Sequence, residues 1–141
     1  MLYSKSVEYA VRALASLADL PEGSYRMARQ VAEDDGMPAF FLAKTLQTLA
    51  RQGILNSVKG PSGGFGLAMP ATKIRIIDII TALDGAGGEV AAHDELPGFR
   101  PVRASIVSYL KNTTVADVAA KRAREKRAAS RKKAAKKGRK K

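Results

Sequence analysis

Few side chains in this sequence could do chemistry of their own. The chain has a single histidine, His93, beside Asp94 and Glu95, and it has no cysteine. One imidazole among carboxylates is a weak pattern for a transition metal, and disulfides and cysteine-ligated clusters are excluded. The sequence also lacks a serine elbow, a P-loop and a paired-histidine motif. We therefore expect no enzyme activity, no metal site and no cofactor.

The segment from Gly60 to Gly64 is rich in glycine. It reads Gly-Pro-Ser-Gly-Gly, which is more glycine than a two-residue hairpin turn needs, and close approach of the backbone to a phosphate is one reason for such glycines. It is not a nucleotide-binding P-loop, because no helix with Lys-Ser or Lys-Thr follows it. The segment therefore favours phosphate contact without favouring nucleotide hydrolysis.

Basic residues are concentrated at the carboxyl end of the chain. The net charge is +12. Residues 1–120 contain 12 Lys and Arg and 12 Asp and Glu, whereas residues 121–141 contain 13 Lys and Arg and one acid, Glu125. This tail has no aliphatic residue larger than alanine, so it cannot bury enough apolar surface to offset its ordering entropy. We expect it to be disordered when free.

So dense a run of positive charge indicates a polyanionic partner. Nucleic acid is favoured over a membrane surface, because no Trp, Phe or Leu in the tail could enter a lipid interface. No apolar run approaches the roughly 18 residues of a membrane span, and the amino terminus has no signal-peptide pattern. We therefore expect a cytoplasmic protein that binds nucleic acid.

Apolar spacing predicts three helices in the first part of the chain. The first follows Ser4, a candidate N-cap, and ends before Pro21. The second is about two turns long and stops at Gly36. The third starts with Pro38 at its first position and ends at Gly53, a candidate C′ residue. Two helices joined by a tight turn with glycine form the outline of a helix-turn-helix.

The segments after the third helix predict a hairpin. Residues 54–59 and 65–69 are interpreted as two short strands, a wing beside the helix-turn-helix. The apolar stretch beyond them is interpreted as a strand at 73–76 and then a helix to Asp84. The expected fold class is mainly α with a small β-hairpin wing, a winged helix-turn-helix.

A long helix is predicted near the carboxyl end. It is amphipathic and begins near Arg100, and Thr114 to Asp117 has the form of a capping box that starts another short helix. An isolated helix after a loop needs a partner, which a second subunit would supply. We divide the chain into a winged helix-turn-helix domain (1–84), a flexible loop (85–98), a dimerisation helix with a short following helix (99–120) and a disordered basic tail (121–141).

Four segments resemble the Rrf2 family of bacterial winged-helix regulators. They are Tyr9-Ala-Val-Arg-Ala-Leu, Gly36-Met-Pro-Ala-Phe-Phe-Leu, the stretch from Leu49-Ala-Arg-Gln-Gly to Gly63-Gly-Phe-Gly-Leu-Ala, and Asp78-Ile-Ile-Thr-Ala-Leu-Asp-Gly. The resemblance runs from Met1 to about Ala120. It implies homodimers that bind palindromic promoter DNA, with one recognition helix per half-site in the major groove and the wing beside it.

The exposed face of the third helix and the resemblance together give the candidate site. On that face only Lys44 can donate a hydrogen bond to a base or phosphate, whereas Phe40 could touch a thymine methyl group or pack on the wing or the partner. Neighbouring helical residues lie about 100° apart, so we place Phe41 in the core. The candidate DNA-binding residues are Pro38, Ala39, Phe40, Ala43, Lys44, Lys59, Ser62, Gly63 and Gly64, and the candidate dimer contacts are Val102, Ile106, Tyr109 and Leu110.

The resemblance also implies a cofactor that this sequence does not match. Family members often hold an iron-sulfur cluster through three cysteines between the wing domain and the dimer helix. Residues 85–98 occupy that place here and contain no cysteine. Glu8 matches a position from which some relatives lend a carboxylate, but a carboxylate alone cannot hold a cluster. We therefore expect no cluster and identify no small-molecule effector.

The sequence is compatible with three functions. The first is a transcription regulator, with repression the favoured sign, whose winged helices select the site while the tail adds non-specific affinity. The second is an architectural, nucleoid-associated protein with little sequence specificity, which the nearly apolar recognition face favours. The third is an adaptor that uses the tail to bind RNA or acidic proteins.

Overall fold

The computed structural model describes residues 4–85 and 98–139, without the side chains of residues 99, 100 and 139. Within these ranges the elements are α1 (Lys5–Ala18), α2 (Ala28–Asp35), α3 (Ala39–Arg51), β1 (Leu55–Val58), β2 (Gly64–Leu67), a 3-10 turn (Ala71–Lys73), α4 (Ile76–Asp84), α5 (Phe99–Asn112) and α6 (Val115–Arg139). The structure confirms the predicted fold class, a mainly helical chain with a small hairpin and a long carboxyl-terminal helix.

The predicted start of α1 and the predicted end of α2 are confirmed, and the start of α3 differs by one residue. The Ser4 hydroxyl accepts a hydrogen bond from the Val7 amide at 3.4 Å and caps α1. Gly36 has a φ of 66° in the left-handed region and ends α2, a conformation that glycine adopts at little cost. Pro38 is the N-cap of α3 rather than its first helical residue. The chain therefore turns from α2 into α3 within three residues.

One core lies between α1, α3 and α4. Its largest members are less than 2% exposed and come from every part of the domain, and burying each contributes about 1.5–3 kcal/mol. They include Leu14, Leu42, Leu46, Leu49, Leu55, Ile74, Ile79, Ile80 and Val115. Because Val115 belongs to this set, the start of α6 is part of the same core.

The hairpin β1–β2 with its turn, residues 55–67, is the wing. Its strands pair antiparallel, with Leu55 opposite Leu67 and Ser57 opposite Phe65. Phe65 pairs on its other edge with Arg26, through hydrogen bonds of 2.8 and 3.0 Å. The wing is therefore tied to the segment that leads into α2.

The predicted strand at 73–76 was wrong. The 3-10 turn occupies its start, and a single bridge joins Arg75 to Thr114. Main-chain bonds from Ile76 to Thr113 (2.9 Å) and from Val115 to Ile74 (2.8 Å) flank this bridge. Helix α4 begins at Ile76, and Thr114 lies between the end of α5 at Asn112 and the start of α6 at Val115. The two segments are therefore too short for more than a single bridge.

Asp78 caps α4 by accepting a hydrogen bond from the Arg75 amide at 3.0 Å. Its carboxylate also bonds the Arg75 guanidinium, which raises the pKa of that side chain above its ordinary value through the hydrogen bond and the charge attraction. Arg75 is charged in either case, so this pair stabilises the helix start without adding a titration near neutral pH.

The prediction of a disordered tail at 121–141 was wrong for residues 121–139, which the structure describes, and the helix before it is not short. Helix α6 runs without a break from Val115 to Arg139. Thr114 and Asp117 form the predicted capping box, with bonds of 2.9 and 3.2 Å. The cap and buried Val115 supply the helix nucleus, and Ala, Lys, Arg and Glu are strong helix formers that extend it.

The structure does not describe the whole of the predicted loop or the single histidine. The predicted loop at 85–98 falls mostly in residues 86–97, which lie outside the described residues, as does His93. None of the helices in the described ranges is long and apolar enough to span a bilayer.

Candidate nucleic-acid interface

The first turns of α3 present the predicted recognition face. Pro38, Ala39, Phe40 and Lys44 are exposed, whereas Ala43 is half-buried and packs against the core. Phe40 is 75% exposed, the largest fraction among the exposed large apolar side chains. A large ring left in solvent on a helix-turn-helix is available to a partner.

Lys44 and Phe40 lie one turn apart on this face. The Lys44 ammonium lies over the Phe40 ring, 4.6 Å from Nζ to the ring centroid. This is a cation–π contact, worth about 0.5–1 kcal/mol at an exposed site. The face therefore presents one apolar group and one cation side by side.

The same face continues through two polar residues that sequence reasoning missed. Gln47 and Arg51 are exposed, and they follow Phe40 and Lys44 at helical spacing. Arg51 donates to the hydroxyl of Thr48 at 3.2 Å. The signal that would have found both is the spacing of three and then four residues along the helix from Lys44. With them the recognition face has three side chains that can donate hydrogen bonds.

Phe41 does not lie in the core, so its predicted placement was wrong. It is 39% exposed and meets Tyr9 of α1 edge to face, with ring centroids 5.7 Å apart. The core positions of this turn are filled by Leu42 and by Thr45, whose hydroxyl donates to the Phe41 carbonyl oxygen at 3.0 Å. Phe41 therefore packs at the periphery of the contact between α1 and α3.

In the wing turn, some of the predicted phosphate contacts are exposed and others are not. Lys59 and Ser62 are exposed. Gly63 is buried and its amide donates to the Gly60 carbonyl oxygen at 3.0 Å, so this N–H is not free for a phosphate. A Cβ on Gly63 would lie 2.1 Å from the Val58 carbonyl oxygen. Gly63 is thus required by backbone packing within the turn, which corrects its assignment as a DNA contact.

Gly64 is explained in the same way. Its φ is 136°, and a Cβ there would lie 2.3 Å from the carbonyl oxygen of Arg26. The glycine lets the wing approach the segment around Arg26 that precedes α2. Close approach of backbone to backbone, rather than to phosphate, accounts for this glycine as well.

A shallow depression joins the recognition helix to the wing. Gln47 and Arg51 of α3 line one side, and Asn56 and Ser57 of β1 line the other. All four side chains are exposed and polar. Ala50 and Leu55 also line the depression, so the two elements offer a mixed surface whose exposed side chains are polar.

The predicted dimer contacts of α5 fall into two groups, those on the surface and one in the core of its own chain. Val102 and Tyr109 of α5 are exposed, the latter 60%, and Ile106 is half-buried. Leu110 is 5% exposed and belongs to the core of its own chain. It was therefore wrongly assigned as a dimer contact, because helical spacing does not say which neighbour a residue packs against.

The comparisons decide the family. The model of the Rrf2 family, described as an iron-dependent transcriptional regulator, matches residues 3–121. The chain belongs to the Rrf2 family. Proteins named as HTH-type transcriptional regulators are similar to it. One from Mycobacterium tuberculosis is 35% identical over 131 residues, 84% of this chain and 81% of the relative. One from Aquifex aeolicus is 44% identical over 80 residues, 57% and 55% of the two chains.

Solved Rrf2-like structures share the fold. T. potens IscR aligns with a TM-score of 0.68 at 26% identity, covering 84% of this chain and 85% of that one. Staphylococcus aureus CymR gives 0.67 at 26%, covering 82% and 96%. The B. subtilis global cysteine regulator CymR gives 0.72 at 23%, covering 85% and 97%. This Rrf2 protein is a DNA-binding transcription regulator and not an enzyme.

The donor set of this Rrf2 protein does not fit a cysteine-ligated iron-sulfur cluster. The sequence has no cysteine. Glu8 forms an ion pair with Lys5 at 3.2 Å on the surface of α1. Within residues 4–85 and 98–139, no three His, Cys, Asp or Glu side chains are grouped to hold a metal ion. The sequence therefore supplies no thiolate ligand for a cluster of the family's type.

Proposed function

We propose that this Rrf2 protein is a homodimeric repressor that reads palindromic promoter DNA through α3 and the wing, while the end of α6 adds affinity without sequence preference. The carrying observation is the exposed face of α3, on which Phe40, Lys44, Gln47 and Arg51 follow one another at helical spacing. A winged helix-turn-helix places this face in the major groove.

Each side chain on the face suits a different feature of DNA. The Phe40 ring contacts a thymine methyl group, and Gln47 is able to bond the N6 and N7 positions of adenine. Lys44 contacts guanine or a phosphate, and its position over the Phe40 ring links the two contacts. Each well-formed base contact contributes about 1–3 kcal/mol of discrimination.

The wing and α6 supply contacts that carry no sequence information. Lys59 and Ser62 are exposed at the tip of the wing and suit phosphate oxygens. The basic extension, residues 124–139 of α6, contains nine Lys and Arg and one Glu. Each phosphate that these residues neutralise steepens the dependence of log K on log salt by about 0.9.

The exposed apolar face of α5 supports the dimer. Val102 and Tyr109 project into solvent. Beside Tyr109 lies an apolar groove between α1, α5 and α6, with Val7 and Val11 among its lining residues. A second copy of α5 covers this surface in the proposed dimer. Two-fold symmetry then presents two recognition helices to half-sites about one helical turn apart.

The proposed regulator acts in the bacterial cytoplasm on nucleoid DNA and carries no iron-sulfur cluster. The missing thiolates support the second statement. No effector is assigned, and the sign of regulation follows from the expectation that a bound dimer blocks a promoter.

Selection of DNA from a random library by the full chain tests the proposal. We expect the enriched duplexes to share a palindrome and to bind one dimer about 10³-fold or more tightly than scrambled duplexes. Enriched duplexes without a common sequence would instead support the architectural alternative, which the strongly basic extension favours.

A further inference from the structure

Arg122 of α6 docks on the end of α2. Its guanidinium forms an ion pair with the Asp35 carboxylate, and Nη1 donates to the carbonyl oxygen of Arg12 at 2.9 Å. The Arg12 guanidinium in turn donates to the main-chain oxygen of Asp35 at 2.6 Å. The side chains of Arg122 and Asp35 are 19% and 10% exposed. The contact therefore joins α6, α1 and α2 in a site largely shielded from water.

Arg122 is the only cation among the described residues that the structure pairs with the Asp35 carboxylate. Arg12 bonds the main chain of Asp35 and not its carboxylate, and the second carboxylate oxygen, Oδ2, is buried without a hydrogen-bond partner in the described chain. Removing Arg122 would therefore leave a shielded negative charge unpaired, which is costly.

This docking point lies beside the helix-turn-helix turn. Asp35 is the last residue of α2, and α3 begins at Ala39. Helix-turn-helix proteins contact base edges with the first residues of the recognition helix. The point at which α6 is held is therefore close to the part of the protein that enters the groove.

Beyond the docking point α6 projects into solvent. Every described side chain from Arg124 to Gly138 is exposed. At 1.5 Å per residue this segment is roughly 22 Å long, which matches about six base pairs at the 3.4 Å spacing of one strand. Its charge and length fit the phosphate backbone of a duplex.

We propose that the Arg122–Asp35 ion pair holds the basic extension at a fixed angle to the helix-turn-helix, so that its Lys and Arg side chains contact phosphates at one defined position flanking each half-site. The inference rests on the proposed function for the presence of a half-site. A flexible tail with the same charge would contact DNA at many positions, whereas a preorganised helix loses less entropy on binding.

The anchor is tested first without DNA. The chain has no cysteine, so Ser130→Cys and Glu22→Cys provide unique sites for spin labels on the extension and on the α1–α2 loop. Doubly labelled chains are diluted with unlabelled chain. The distance between the two spin labels is then measured by double electron–electron resonance, a pulsed electron paramagnetic resonance method. We expect one narrow distance distribution in the parent and a broad one after Arg122→Gln or Asp35→Asn.

Arg124→Gln is the matched control, because it removes the same charge two residues further along, at an exposed position. It should keep the narrow distribution. Asp35→Asn removes the ion pair with little change in side-chain shape. It provides the test of the anchor if Arg122→Gln fails to fold. A broad distribution in the parent, or a narrow one in both anchor variants, would overturn the proposal.

The second test uses the duplex enriched by the protein. An iron–EDTA group on Ser130→Cys should cut at one position flanking each half-site, and Arg122→Gln should spread the cuts and weaken binding by about threefold to tenfold. Arg124→Gln should keep the cut position and lower the salt slope by about 0.9 at most.

Diffuse cutting by the parent on a sequence that it still selects would refute the fixed position and leave the proposed function intact. Failure to select any sequence would instead refute the proposed function, and the label distances would still decide whether the anchor exists.

Discussion

The ammonium of Lys44 lies 4.6 Å above the centre of the Phe40 ring on the exposed side of α3. Neither side chain belongs to the core. The ring limits where the cation can move, and the cation covers part of a ring that is otherwise in water. The two residues are therefore expected to act together in binding and to matter little for folding.

Phe40→Ala should weaken binding to the selected duplex about tenfold or more, because it removes both the proposed contact with thymine and the ring that lies under Lys44. Fluorescence anisotropy on selected and scrambled duplexes measures it. The melting temperature should be nearly unchanged, since the ring is exposed. Lys111→Ala, an exposed cation on α5, is the control. Equally weakened binding to both duplexes would contradict a role for Phe40 in sequence readout.

Gly63→Ala should destabilise the wing, because the new Cβ would lie 2.1 Å from the Val58 carbonyl oxygen. We expect a loss of about 1–3 kcal/mol in the free energy of unfolding, measured by urea denaturation. Ser62→Ala, the exposed neighbour, should change it by less than about 0.5 kcal/mol. A stable Gly63→Ala protein with normal DNA binding would show that the turn tolerates a side chain.

Tyr109→Lys should convert the dimer to a folded monomer, because a charge would replace an exposed apolar group at the proposed dimer surface. Light scattering gives the mass and circular dichroism the fold. Leu110→Ala provides the contrast. It removes a core side chain and should cost about 2–5 kcal/mol of stability. The dimer surface would be misplaced if Tyr109→Lys remained a dimer.

Asp117→Ala should shorten or loosen α6, because the Asp117 carboxylate accepts a hydrogen bond from the Thr114 amide at 2.9 Å. Loss of such a cap costs about 1 kcal/mol, and helicity by circular dichroism should fall. Glu125→Ala removes an acid from an exposed position of the same helix and should leave the stability within about 0.5 kcal/mol. Equal effects would mean that charge, and not capping, accounts for the loss.

The local signals of the sequence were enough for the helix-turn-helix and the wing. Caps and helix-ending glycines such as Ser4 and Gly36 act over a few residues, so their effect is visible in the sequence. The wrong predictions concern contacts between residues that are far apart in the sequence. Phe41 and Leu110 were misplaced because periodicity identifies an apolar face without identifying the element that covers it.

The helical structure of the basic segment was missed for a related reason. Composition showed that it could not form a core of its own, but not that Val115 and Arg122 would fix the start of its helix to a core built elsewhere. Gly63 and Gly64 were assigned to phosphate because their backbone neighbours, Val58 and Arg26, approach them only in the folded chain.

The dependence of DNA affinity on salt, compared between the full chain and a chain ending at Ala123, tests the central claim most directly. The truncation keeps Arg122 and removes eleven Lys and Arg and one Glu. With selected and scrambled duplexes, we expect the truncated chain to keep its preference for the selected sequence while its log–log slope falls by about 0.9 for every phosphate that is no longer neutralised. Disappearance of the preference together with the affinity would contradict the account, because the basic extension and not the winged helix would then determine where the protein binds.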